Sequence, residues 1–354
     1  MKSLFIIMLL LQGCSVWKQK DFKKDMEKPS HKEAEVEVDE KIREKFEVKP
    51  VDAEAPKEES KVVEVVQPPV IIQKTGKKPI KVIPPKIVKV IEPEAPKAIK
   101  PKIPSDYPAD VAALNEKAKK VWDSYKPNHH IDHKVYLDIH YLGMTVGKIM
   151  FTNQGKKMIN NQEVWHFHAR FKSAPFYSNI YELDDTVDTY VTTDKFLSIK
   201  YSLIQRESKQ DIDDLQLYDR DQLKTFWYYK QKKSDGTVRN KQKEAYVPFY
   251  SIDPFSVLFL YQGLPLKNGD TFEIPIINKA KILVLKSVVE GRETIETEKG
   301  KIKSIRVHAT TKYSGEHLKD GDLYFWFSDD EKRTLLKARA KIKIGNVTAD
   351  IVEG

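Results

Sequence analysis

The chain has 354 residues, of which 32% are charged and 40% hydrophobic, and its formal net charge is +9. A mean hydropathy of −0.54, with no apolar run near the roughly 18 residues of a membrane-spanning helix, excludes a polytopic membrane protein. The single cysteine excludes a disulfide framework and cysteine-rich metal sites.

The N-terminus resembles a bacterial lipoprotein signal. Lys2 precedes an apolar run over residues 4–11, and the sequence Leu-Gln-Gly-Cys ends at Cys14. The run is too short to span a hydrocarbon core of roughly 30 Å, and it has the length of a secretory signal. Its end is similar to the lipobox, in which the signal is cut between Gly13 and Cys14 and the cysteine receives acyl chains such as palmitate.

We therefore expect residues 1–13 to be a lipoprotein signal peptide and Cys14 to anchor the protein to a membrane. Several acyl chains anchor firmly, because each buried CH₂ contributes about 0.8 kcal/mol. Ser15 after the cysteine is typical of lipoproteins sorted to the outer membrane, so we expect an envelope protein that faces the periplasm. The alternative is an ordinary secretory signal, from which Cys14 would be discarded.

Residues 14–105 are rich in proline, lysine and glutamate. Thirteen of the 19 prolines fall between Pro29 and Pro108. A segment of this composition cannot bury enough apolar surface to offset the entropy of ordering, so it predicts a disordered tether. Fully extended, a tether of about 90 residues would reach at most roughly 280 Å.

The two parts of this tether differ in charge. Residues 15–66 hold 12 basic and 15 acidic residues, a net charge of −3, whereas residues 67–105 hold 9 and 2, a net charge of +7. The basic part could contact peptidoglycan or lipid headgroups, or it could only keep a spacer soluble. Nucleic acid is not expected as a partner, because this part contains no arginine and no interleaved aromatic residues.

The remaining residues predict a globular domain. We expect residues 106–131 to form a helical lead-in to this domain, because Val111, Ala118 and Val121 recur at helical spacing. From residue 132 to residue 354 the apolar period changes to two, and turn residues separate many short segments. A short helix is expected over residues 254–262. We therefore predict a mainly β fold, a curved antiparallel sheet or half-barrel with one or two short helices, after the disordered tether.

The order of several segments resembles the bacterial exported family catalogued as domain of unknown function 3108 (DUF3108). The first is the strand pair YLDIHYLGMTVGK at residues 136–148, and later segments are PFSVL at 254–258, LKNGD at 266–270 and WFSDD at 326–330. The resemblance covers about residues 132–354. It implies export and a mostly β fold, and it supplies no catalytic residues because the family has no established activity.

Aromatic residues provide the candidate binding site. Trp165, Phe167 and Phe171 alternate along one predicted strand and therefore share a face, and Phe176 follows soon after. They either form a plain core against the 254–262 helix or line a cavity for an acyl chain, since curved sheets often hold ligands at their mouths.

The opposite face of that strand carries His166, His168 and Arg170. Two histidines on a strand can take part in a zinc site, but an arginine on the same face argues against a bound cation, so we expect a solvated polar face and no metal. No catalytic motif is present, and the acidic pair Asp184-Asp185 points to opposite faces. No catalytic residue or cofactor is therefore predicted.

These features favour a non-enzymatic, lipid-anchored envelope protein whose β domain binds a hydrophobic ligand or an envelope component. One alternative is a structural or protein-interaction module that the tether presents to the cell wall or to partner proteins, and another is a hydrolase with an unrecognised site. The expected partners are the membrane, through the acyl chains on Cys14, and peptidoglycan, lipid or envelope proteins. Co-purified lipid would distinguish the first two functions, and a carboxylate pair that converges in a cleft would indicate the hydrolase.

Overall fold

The computed structural model describes residues 24–28, 31, 33–51, 62–66, 87–91, 101–131, 133–313, 316–317, 322–342 and 345–354. The predicted signal peptide and Cys14 lie outside these residues. No described helix is long and apolar enough to cross a membrane.

The described helices are α1 (Glu40–Lys45), α2 (Ala109–Ser124), α3 (Pro175–Ser178) and α4 (Val257–Leu260), which continues as a 3-10 turn over Tyr261–Gly263. The described strands are β1 (Lys49–Pro50), β2 (Val62–Val66), β3 (Ile87–Ile91), β4 (Lys134–Tyr141), β5 (Met144–Ile159), β6 (Gln162–Ser173), β7 (Asp184–Thr192), β8 (Ser198–Glu207), β9 (Gln210–Asp219), β10 (Lys224–Lys233), β11 (Val238–Tyr246), β12 (Thr271–Asn278), β13 (Lys281–Thr297), β14 (Gly300–Tyr313), β15 (Glu316–His317), β16 (Leu323–Ser328), β17 (Leu335–Ile342) and β18 (Gly345–Glu353).

One large antiparallel sheet organises the domain. Strands β4 to β11 follow one another as a meander, and β12, β13, β14, β16, β17 and β18 form a second meander. The two meanders join where β18 pairs with β4, with Ala349 opposite Ile139. Among the described strands, β2 and β3 pair with each other and stand apart from this sheet. The predicted mainly β fold with a curved antiparallel sheet is confirmed.

The sheet curls until its two ends almost meet. The side-chain amide of Gln216 in β9 and the hydroxyl of Tyr218 both donate to the carbonyl oxygen of Ile277 in β12, at 3.1 and 3.2 Å. Strands β11 and β12 end the strand order and do not pair with each other. The result is a barrel-like wall that stays open along one seam.

Helix α2 and residues 247–264 fill the concave side of this wall. The apolar stripe of α2, Ala118, Val121 and Trp122, belongs to the same buried cluster as the inward residues of the strands. The predicted helical lead-in is therefore an integral part of the core. In the second filling segment, Ile252 and Ile276 form a parallel bridge, so this segment also lies against the open edge of β12.

A buried carboxyl group fixes the filling segment under the sheet. Asp253 is fully buried, and its Oδ2 accepts hydrogen bonds from the hydroxyls of Thr189 in β7 and Ser198 in β8, both at 2.6 Å. Its Oδ1 accepts from the backbone N–H groups of Phe255 and Ser256, at 2.9 and 2.8 Å. A buried polar group costs free energy unless it is hydrogen-bonded, and here both oxygens are bonded.

The helix that follows is shorter than the sequence predicts. Helical geometry was expected over residues 254–262, whereas α4 holds only Val257–Leu260 before the chain tightens into the 3-10 turn. Asp253 bonds the N–H groups of Phe255 and Ser256, which form a turn before the first residue of α4. Gly263 lies so close to Tyr125 that a Cβ there would overlap the tyrosine ring, and this close approach limits the segment at its other end.

An N-terminal strap (residues 24–28, 31 and 33–51) covers part of the convex face of the sheet. Met26 is buried against Tyr136 and Met150, and Val36 and Phe46 are buried in a cluster with residues of β5 to β10. Residues 49–50 pair with β5 as β1. The sequence predicts that these residues belong to a disordered tether, whereas in the structure they pack against the sheet. A prediction from composition considers only the apolar surface that a segment can bury by itself. The strap, in contrast, is buried against apolar residues of the sheet.

We expect limited proteolysis to cut the chain between the strap and the β domain, while the strap stays bound to the domain. A lysine-specific protease should cut within residues 67–100, where the sequence predicts little protective structure. The resulting N-terminal fragment should still co-elute with the β domain in size-exclusion chromatography. Phe46→Asp is the matched control, because it places a charge in the buried cluster and should release the fragment. Separate elution of the wild-type fragment would contradict the packed strap.

A second prediction concerns the buried carboxyl group of Asp214 in β9. Burial raises its pKa from 3.8 to about 6, although the indole N–H of Trp227 donates to Oδ1 at 2.8 Å. The folded state therefore holds this proton more tightly than the unfolded state, and stability falls as the pH rises from about 4 to about 6. Asp214→Asn should raise the free energy of unfolding at pH 8 by at most about 3 kcal/mol.

The gain from Asp214→Asn should nearly disappear at pH 3.5, because the carboxyl group is then mostly protonated in both the folded and the unfolded state. Denaturant titrations at the two pH values measure it. The matched control is Asp110→Asn, which removes an exposed carboxyl group from α2 and should give no such pH-dependent gain. An equal effect of Asp214→Asn at both pH values would show that its burial does not control the titration.

Candidate functional site

The predicted apolar site lies in the packed core. Trp165, Phe167 and Phe171 share the inward face of β6, as the alternation predicts, and Trp165 and Phe167 are buried. The ring of Phe167 stacks on Phe259 of α4, with centroids 4.0 Å apart and planes 15° apart. Phe176 lies on α3 with 57% of its surface exposed, so it does not join the other three.

Little space remains beside these rings. A cavity of about 30 Å³ lies next to Phe167 and Phe259, which is room for about two water molecules. Polar residues also line this cavity, among them His133, Asn153 and Gln262. In this structure the cavity cannot hold an acyl chain.

The convex face of β6 carries a second group of residues. Nε2 of His166 and Nδ1 of His168 lie 2.7 and 2.9 Å from the same carboxylate oxygen of Asp188 in β7. With Asp188 as the acceptor, each of these nitrogens carries a proton. Burial would raise the pKa of Asp188, but the two imidazole hydrogen bonds outweigh burial and hold that pKa well below its usual range.

The histidine face is covered rather than solvated, which corrects the expectation from the sequence. His168 and Arg170 are each only 6% exposed. The guanidinium of Arg170 makes a bidentate pair with Asp184, at 2.8 and 2.7 Å, and its Nη1 donates to the backbone oxygen of Asp25 at 3.1 Å. Arg170 therefore ties the strap to two strands of the sheet.

A polar cleft of about 360 Å³ opens between the strap and the sheet. The strap lines it with Met26, Lys28 and His31, and the sheet lines it with His166, His168 and Asp188. Both signs of charge are present, and Glu27 bonds Lys134 at 2.9 Å at one side. This strap cleft is a more open and more polar site than the aromatic core that the sequence indicates.

The titratable groups of the cleft are bonded to one another. Both histidines bond the same carboxylate, and within the described ranges no three His, Cys, Asp or Glu residues are arranged to hold a metal ion. The two acidic neighbours Asp184 and Asp185 bond different partners, since Asp185 accepts from Gln205 and from the N–H of Arg206 at 3.0 Å each. Burial raises the pKa of Asp185 to about 6, but its oxygens face protein donors.

Two predicted site residues are not placed. Gly13 and Cys14 lie outside the described residues, so the cleavage and lipidation sites remain predictions. The strap cleft was missed because its residues lie about 140 positions apart in sequence. The only local signals were the isolated apolar residues Met26, Val36 and Phe46, and Asp39, whose side chain caps α1.

Comparison with known proteins gives one family and several structures. A comparison with curated proteins finds no match. The chain is similar in structure to a β-barrel-like protein of domain of unknown function DUF1849 from Brucella abortus, with 9% identity, a TM-score of 0.40, and coverage of 63% of this chain and 96% of that one. A candidate lipoprotein from Parabacteroides distasonis has 8% identity, a TM-score of 0.29, and coverage of 65% and 98%.

A candidate exported protein with a YmcC-like fold from Bacteroides fragilis has 8% identity, a TM-score of 0.28, and coverage of 64% and 96%. The family model described as Protein of unknown function (DUF3108) matches residues 137–352, which is more than half of the chain. The match includes the strands β5 to β17, the filling segment and the histidine face. It confirms the resemblance drawn from the segments of the sequence, and the chain belongs to the DUF3108 family.

Proposed function

We propose that this protein is a non-enzymatic, lipid-anchored protein of the cell envelope whose β domain works as an interaction module. The acyl chains on Cys14 anchor it to a membrane, which we expect to be the outer membrane, and the domain faces the periplasm. The partners are envelope components, namely lipid, peptidoglycan or envelope proteins, which the domain contacts through its outer surface.

The filled interior supports an interaction module over a carrier of an apolar ligand. The stack of Phe167 on Phe259 occupies the space that an acyl chain would need, and the remaining cavity is about 30 Å³. Pockets for drug-sized ligands are typically ten or more times larger, roughly 300–1,000 Å³. A carrier function would require the whole filling segment to leave the sheet, and Asp253 and its hydrogen bonds oppose that movement.

The outer surface offers places where a partner can bind. Besides the strap cleft, a second polar cleft of about 610 Å³ lies among the loops around Pro127, Pro265 and Glu331. The edge strand β11 is exposed, but it carries Arg239, Lys241 and Lys243. Charged residues on an edge disfavour the addition of a foreign strand. The clefts are therefore better contact sites than the free edge.

A substitution in the core distinguishes the module from the carrier. Phe167→Asp should bury an unpaired carboxylate and destabilise the domain by several kcal/mol, because Phe167 is 1% exposed. Phe176→Asp makes the same change at an exposed phenylalanine outside the core and should leave the fold intact. Circular dichroism during denaturant unfolding measures both variants.

Native mass spectrometry of the wild-type protein should show no bound lipid beyond the acyl chains on Cys14. A folded Phe167→Asp variant that has lost a lipid carried by the wild type would contradict the module and support the carrier.

The anchor has its own test. Cys14→Ala should leave the protein without acyl chains and move it from the detergent phase to the aqueous phase in a detergent-partition assay, since the apolar anchor is lost. Ser15→Ala is the control, because it leaves the cysteine in place. Equal partition of Cys14→Ala and wild type would show that Cys14 does not anchor the protein.

A further inference from the structure

Four large apolar side chains are exposed together at one end of the sheet. They are Leu142 and Met144 at the β4–β5 turn, and Phe176 and Ile180 in the β6–β7 connection, with 68%, 39%, 57% and 51% of their surfaces exposed. The two loops touch, because the hydroxyl of Tyr177 donates to the sulfur of Met144 at 3.2 Å and the N–H of Ala174 donates to the carbonyl of Val146 at 2.9 Å. We call these four residues the apolar rim.

Neither packing in the core nor backbone conformation explains why the apolar rim has a leucine at position 142. Leu142 and Gly143 form the two-residue turn of the hairpin with φ angles of 49° and 78°. A turn with positive φ at both positions strongly favours Asn or Asp before Gly, and a bulky residue there is strained. An exposed leucine at a strained position, beside three other exposed apolar side chains, is suited to contact with an apolar partner.

The strap begins near the same end of the sheet. Asp25 in the strap bonds Lys172 at 2.6 Å, and Lys172 lies near the end of β6, four residues before Phe176. Nine residues lie between Cys14 and Lys24, the first described residue. Because ten Cα–Cα steps span at most about 35 Å, a bilayer that holds the acyl chains of Cys14 lies within that distance of the start of the strap.

We propose that the apolar rim is a membrane-contact site, and that it inserts into the leaflet that holds the acyl chains of Cys14. This assignment rests on the proposed lipid anchor. The strap, rather than the long segment after it, sets the distance between membrane and domain. The domain therefore lies on the bilayer. The chain is bound to the domain on both sides of that long segment, since β1 pairs with β5 before it and the N–H of Lys102 donates to the carbonyl of Asp221 at 3.3 Å after it.

The experiment measures the depth of single positions in vesicles. The chain has one cysteine, and acylation consumes its thiol, so an introduced cysteine is the only free thiol of the lipidated protein. Ile180→Cys labels the rim with an environment-sensitive fluorophore. Ile131→Cys is the matched control, because Ile131 is 55% exposed and precedes the opposite end of β4. The full-length lipidated protein is reconstituted in vesicles of phosphatidylethanolamine and phosphatidylglycerol that contain spin-labelled lipid.

We expect the fluorophore at position 180 to shift to the blue and to be quenched by the spin-labelled lipid several-fold more strongly than the fluorophore at position 131. Leu142→Asn in the same protein should reduce this quenching while leaving thermal stability equal or higher, because Asn suits the positive φ. Loss of quenching without loss of stability separates membrane contact from a defect in folding.

Three outcomes would overturn the proposal, and they differ in whether the lipid anchor is contradicted as well. Equal quenching at positions 180 and 131, with the protein still floating with the vesicles, would leave the anchor intact and remove the rim. A blue shift without lipid quenching would show that a second copy or another protein covers the rim. Failure of the unlabelled wild type to float with vesicles would remove the anchor and the rim contact together.

Discussion

The buried hydrogen bonds of Asp253 fix the segment that fills the concave side of the sheet. A sheet that curls but does not close needs a filling, and the filling here is a segment whose backbone is mostly irregular. Asp253 joins that segment to β7 and β8 through two hydroxyls, and Arg220 does so from the end of β9. Arg220 is buried and donates to the backbone oxygens of Ser198, Phe249 and Ser251 at 2.8 to 3.1 Å. Burial lowers the pKa of Arg220 to about 10, which leaves it charged at neutral pH.

This polar anchoring determines what the interior can do. Because residues 247–264 are fixed, Phe255 and Phe259 reach the inward faces of β5 and β6, where they stack on Phe151 and Phe167. The aromatic rings that could have lined a ligand cavity contact each other instead. Partly satisfied polar networks in a core are costly, so the filling segment cannot leave the sheet without exposing or stranding several charged and polar groups at once. The interior is therefore a packed core.

The convex surface depends on a second set of polar contacts. The strap is bound to the sheet by the side chains of Arg170, Lys172 and Lys134, which lie more than 100 residues away from it in sequence. Their partners are the backbone oxygen of Asp25 and the carboxylates of Asp25 and Glu27. The histidine pair on Asp188 is thereby placed under the strap. The strap thus determines how much of the convex face of the sheet is exposed.

Alternation along the strands, turn residues between them and the order of a few segments were enough to predict the mainly β fold, the helical lead-in and the family. They were also enough to place Trp165, Phe167 and Phe171 on one face, because side-chain direction in a strand is local. Phe176 lies in a helical turn outside that period, and only the structure showed it to be exposed.

The length of the helix after Asp253, the small size of the cavity beside Phe167 and the course of the strap could not be predicted from the sequence. Each depends on contacts between distant segments, such as the pair of Arg170 with the backbone of Asp25, 145 residues apart. Composition suggested that residues 33–51 could not fold, and by themselves they have too little apolar surface to do so. The tertiary structure decided otherwise because the finished sheet supplies the surface and the charges that these residues lack.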